Sequence, residues 1–167
     1  MIRILACLIA TIPVVAWSAE NNPDQSFFKH AAEGGIAEVE AGKLAESKGS
    51  SQAVKDFGAM MVKDHTEANN ELKALATTEN VDLPESSSAK QMATKAKLEV
   101  LTGETFDKSY IKGQIAAHEE TAGLLKKEIA SGKDPKAQAF AKEILPTVNA
   151  HLKKIREIAA SAGVTEK

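Results

Sequence analysis

The sequence contains one cysteine, Cys7, and only 4% aromatic residues among 167. No internal disulfide can form from a single thiol, so stability has to come from packing. Clustered cationic residues are missing as well: 21 Lys plus Arg stand against 23 Asp plus Glu, for a formal charge of -2. Phosphate backbones need a basic patch, so nucleic acid is not expected as a partner. Alternating runs of Val and Ile are absent beyond the first residues, which argues against strands. There is also no Ser-His-Asp ordering, glycine-rich phosphate loop or paired-carboxylate hydrolase pattern. No catalytic constellation stands out.

What is present is alanine, lysine, glutamate and leucine, residues that favour helix, in a chain the size of one domain. The fold class read from this is all-α. Residues 1–19 carry one cation, Arg3, and then an apolar run from Ile4 to Trp17 broken by Thr11 and Pro13. That run is too short for a membrane span and reads as a secretory signal cut after Ser18 or Ala19. Cys7 would leave with it. Residues 20–167 then form the mature domain, with no transmembrane span, in the periplasm or at the outer membrane.

Four long helices are expected. Asp24 is an N-cap for a first helix to about residue 48, with Phe27, Phe28, Ala31, Gly35, Glu38 and Ala45 on one stripe. The Gly34-Gly35 pair marks close helix approach, a local opening, or a helix that starts after it. Ser50 and Ser51 restart the chain into Val54, Phe57, Met61, His65, Leu72 and Leu75. Residues 79–104 are a long connection with a weak helix opening at Ser86. A third long helix follows from Thr105 through Tyr110, Gln114 and His118 to Gly132, and a fourth from Asp134-Pro135 through Val148 and His151 to Gly163. Pro146 lies inside the last helix, where it removes a hydrogen bond and is expected to kink it. Two short joins and a long middle connection describe a four-helix bundle of ferritin-like topology.

Glu38, His65, His118 and His151 fall near the middle of four different helices. Glu38 is eleven residues before Gly49 and His65 fifteen after Ser50, while His118 is fourteen before Gly132 and His151 seventeen after Asp134. At a rise of 1.5 Å per residue these depths agree within about 10 Å. A shared polar layer inside a bundle is costly unless its members have partners. One divalent transition metal, Zn, Cu, Fe or Mn, would supply them, with all four residues as ligands. Met61 is one turn from His65 and can add a thioether, although packing is its commoner use. His30, beside Lys29, reads as a surface residue. The competing reading is a structural or protein-interaction module whose histidines form a hydrogen-bonded layer with Glu38, Tyr110 or Gln114. An enzyme using an open metal position is a third class, for which no substrate pocket is indicated.

The stretches AAEGGIAEVEAGKLA around Glu38, MVKDHTEANNEL around His65, FDKSYIKGQIAAHEE through His118 and ILPTVNAHL at His151 together resemble an exported bacterial family of unknown function, described as outer-membrane or ferritin-like. The resemblance implies a ferritin-like fold and an envelope location, and no activity. A di-iron ferroxidase wants Glu-x-x-His on two helices. Here Val62, Ile115 and Val148 stand three residues before the histidines, so that chemistry is not expected.

Overall fold

The computed structural model describes residues 23–165, and among these there are five helices and no strand: α1 (Pro23–Lys48), α2 (Gln52–Glu79), α3 (Ala89–Glu99), α4 (Gly103–Ser131) and α5 (Pro135–Ser161). The expected signal segment, 1–19, lies outside the described residues. Asp24, expected as the N-cap of α1, lies within its first turn instead, its carboxylate accepting from Lys133 N, while local chemistry explains other boundaries. Ser51 accepts a hydrogen bond from the Val54 amide at the start of α2, and Asp134 accepts from Lys136 N at 2.8 Å before the first-turn Pro135 of α5. The short α3 opens at Ser88 rather than Ser86, because Ser88 and Gln91 form a reciprocal capping box. α2 ends at Asn80, whose left-handed backbone (φ 54°) turns the chain. α5 runs from Pro135 to Ser161 with Pro146 inside it.

Gly34 and Gly35 lie well inside α1, so the helix does not start after them. A Cβ on Gly35 would fall 1.9 Å from the Asn69 side-chain oxygen, so close approach of α2 is the explanation. One crossing further along, a Cβ on Gly42 would meet the Gly58 carbonyl at 2.8 Å, and one on Gly58 would meet the Gly42 carbonyl at 2.7 Å. Here the two backbones touch.

The helix directions follow from contacts at the two ends. At one end the Asp107 carboxylate, near the start of α4, accepts hydrogen bonds from Ser50 N, Ser50 Oγ and Ser51 N at 2.8–2.9 Å, and the Lys48 ammonium reaches the Glu99 and Leu101 carbonyls. At the other end Lys133 N donates to Asp24 at 2.8 Å, and Lys136 pairs with Glu79 at 2.6 Å. α1 and α5 therefore run one way and α2 and α4 the other, and the segment carrying α3 travels the length of the molecule between them. α1 packs on α2 and α4, and α5 packs on α4 and α2, closing a ring.

The interior divides in two. One apolar cluster gathers Ala45, Val54, Phe57, Met61, Phe106, Tyr110, Ile111 and Ile155, and the other Phe27, Phe28, Leu72, Ala76, Leu125, Ala137 and Val148. On every long helix a polar residue stands between the two: Glu38 on α1, His65 on α2, Gln114 and His118 on α4, His151 on α5. The expected polar layer exists, and it separates two cores.

Candidate metal centre

All four expected site residues are buried, with 6% of Glu38, 9% of His65, 1% of His118 and 3% of His151 exposed. The three histidines come together. One ring nitrogen from each lies within 4.8 Å of the other two, and the ring centroids form a near-equilateral triangle of 5.7, 5.6 and 5.4 Å. Phe57 closes one side, edge-on to His118 at 6.3 Å and His151 at 6.4 Å. Glu38 is not a member of this group. Its carboxylate instead accepts a 2.8 Å hydrogen bond from the Gln114 side-chain amide. Depth along a helix put Glu38 in the right layer, but a neighbouring polar side chain on α4 takes its oxygen. Met61 sits with no exposed surface in the apolar cluster, its Cβ toward the α1 backbone at Gly42.

Hydrogen bonds at the backs of the rings dictate the protonation at their fronts. His118 Nδ1 lies 2.9 Å from the Gln114 backbone carbonyl, which can only accept, so Nδ1 carries the proton and Nε2 is a lone pair. His151 Nε2 lies 3.0 Å from an Asp64 carboxylate oxygen, so Nε2 carries the proton and Nδ1 is the lone pair. His65 Nε2, His118 Nε2 and His151 Nδ1 are all buried, and among the described residues none has a hydrogen-bond partner. For His118 and His151, a buried lone pair whose opposite nitrogen is committed to a carbonyl or carboxylate is what a ligating imidazole requires, and the unpartnered Nε2 of His65 belongs to the same cluster. The donor set therefore fits a transition-metal ion.

The electrostatics favour neutral rings at His65 and His151. Burial, reinforced by the other two histidines, pushes the His65 pKa down to about 3. Burial lowers that of His151 too, against the opposing pull of Asp64. Asp64 itself is held below the usual carboxylate range, because the His151 and Lys63 hydrogen bonds outweigh its burial. Burial raises Glu38, partly offset by His118 and by the Gln114 hydrogen bond. On the far side Phe106 stacks on Tyr110, whose hydroxyl burial makes a poorer acid still. Glu119, beside His118 in sequence, faces outward and pairs with Arg156 at 2.5 Å. Among the described residues no second cluster of His, Cys, Asp or Glu comes as close together, and no helix is long and apolar enough to cross a membrane.

A model of the domain of unknown function DUF4142 matches residues 12–158, most of the chain. The protein belongs to the DUF4142 family. No curated protein matches it. Three solved structures share its fold. A DUF305 fragment from Deinococcus radiodurans has a TM-score of 0.74 at 12% identity, covering 84% of this chain and 97% of that one. A DUF305 protein from Streptomyces coelicolor, with a provisional description as secreted, also scores 0.74 at 12%, covering 87% and 96%. CopM in its Cu(I)-bound form scores 0.69 at 16% identity, covering 83% of this chain and 96% of that one. At such identities the DUF4142 chain shares an all-α fold with these proteins, and its site has to be argued from its own residues.

Proposed function

We propose that the protein is an exported, ferritin-like four-helix bundle that holds one transition-metal ion on His65, His118 and His151. The observation that carries this is the forced tautomer of His118 and His151. Each leaves a buried lone pair in the cluster with His65, and among the described residues no group answers it. A hydrogen-bonded layer accounts for Glu38 and the Gln114 amide nitrogen but leaves the three histidine nitrogens, with the Gln114 side-chain oxygen and the Tyr110 hydroxyl, without partners among the described residues. Glu38, held by the Gln114 amide, is better read as a polar neighbour of the triad than as a fourth ligand. Three imidazoles suit zinc, copper and iron better than manganese, which prefers oxygen. Copper is the first to offer, since the fold is shared with a Cu(I)-bound structure. The apolar N-terminal run and the absence of cysteine from the rest of the chain support export to the envelope, periplasmic or outer-membrane associated.

The test is metal analysis of metal-stripped protein offered Cu(I), Zn, Fe and Mn separately. About one equivalent should bind. His118→Ala should abolish binding, and Asp64→Asn should weaken it about 10- to 100-fold by releasing the His151 ring. A chain that binds none of these ions overturns the reading.

A further inference from the structure

A cleft between α1, α2, α4 and α5 reaches one member of the triad, His65. Its walls include the exposed His30 at one extreme and the buried Glu38 and His65 at the other. The cleft encloses a cavity of about 50 Å³, room for a few water-sized molecules. Most of the lining is apolar, with Leu72 and Phe140 among it, so an entering cation has to exchange its waters for donors fixed in the walls. Such donors are present: the Asn69 side chain, which fills the space that Gly35 leaves open, and Thr121 of α4 line the same cleft before Glu38 and His65 are reached.

His30 is prepared in the same way as His118. Its Nδ1 lies 2.7 Å from the Ser26 carbonyl, four residues earlier on the helix, and 3.2 Å from the Ser26 hydroxyl, so Nε2 is the ring nitrogen left for a ligand. A side chain that reads from sequence as an ordinary surface histidine is thus a preset donor at the mouth of a passage that ends at another histidine.

We propose that this cleft is the loading route of the triad, with His30 as the capture ligand at its mouth and Asn69, Thr121 and Glu38 as successive transfer donors. The proposal rests on the metal reading above and adds the path by which the ion arrives and leaves. It also gives Glu38 a task that its exclusion from the histidine group otherwise leaves open.

The test separates rate from equilibrium. Metal-stripped protein is mixed with Cu(I) or Zn in a stopped-flow instrument, and loaded protein is mixed with a chelator in excess. His30→Ala alters an exposed residue and is expected to slow uptake at limiting metal about 3- to 10-fold, with stoichiometry unchanged. Ala68→Leu, a half-buried wall residue of the cleft, is expected to slow uptake and chelator extraction alike, at least 10-fold, again with full final loading. Thermal melts check that both variants are folded, and if Ala68→Leu is not, Thr121→Val takes its place. Full loading at unchanged rates in both variants overturns the route while leaving the triad intact. Wild-type protein that takes up no metal overturns the triad, and the route with it.

Discussion

Two buried carboxylates away from the triad show how strongly local donors decide a charge. Asp107 is desolvated, yet the hydrogen bonds from Ser50 and Ser51 at the start of α2 outweigh that and hold its pKa below the usual range. Glu128, at the other end of the molecule, has no such donors. Burial, with Asp24 close by, pushes its pKa up to about 7. The sign of its effect on stability follows from proton counting. Between about pH 4.5 and 7 the folded chain keeps a proton on Glu128 that the unfolded chain has lost, so stability falls as pH rises through that window. Glu128→Gln removes the conflict. It should raise the unfolding free energy measured by urea titration at pH 8, by on the order of 1–2 kcal/mol, and leave it unchanged near pH 4. An equal effect at both pH values would show that the residue is not carrying that proton.

At the scale of helices, the close contact of α1 with α2 makes one glycine indispensable and another replaceable. Gly58→Ala would drive a methyl against the Gly42 carbonyl at 2.7 Å, a backbone atom that cannot swing aside, and should cost about 1–3 kcal/mol. Gly113→Ala on α4 meets nothing within 4 Å and should gain about 0.5–1 kcal/mol from helix propensity alone. Paired urea titrations measure both, and similar signs would contradict the packing described. The helices themselves were readable from the chain because their ends carry direct chemical signals, such as Ser51 and the Asp134-Pro135 pair. The polar layer was readable because a histidine on an apolar stripe is unusual in each of three helices. What could not be read was the direction of each side chain within that layer. Depth places Glu38 level with the histidines, but only the packed structure shows Gln114 reaching across to it. For the same reason His30 looked unremarkable: one turn of α1 sequence does not reveal a cleft whose other walls come from α2, α4 and α5. The Gly42–Gly58 contact was also hidden, since each glycine is explained only by the other.

For the whole molecule, the triad makes the metal-free protein sensitive to acid. The folded pKa values of His65 and His151 lie below the ordinary 6.5, so below that pH the unfolded chain binds protons that the folded one refuses. The stabilising contribution is complete above about pH 6.5 and is lost as pH falls toward the folded values, by up to about 1.4 kcal/mol per unit for one such histidine. Urea midpoints of stripped protein should therefore drop between pH 7 and 5. Saturating metal should raise them at pH 7, and a flat profile would mean that the rings take up protons without unfolding. The crossover carrying α3 has a wider implication. The pair α1 and α2 supplies only His65, and the pair α4 and α5 supplies His118 and His151, so neither hairpin holds the triad by itself. A chain nicked between residues 81 and 88 would be two complementary halves, and the ion would act as the glue that recruits one to the other. Gel filtration of such a nicked chain should show the halves co-eluting with metal and separating more readily with chelator.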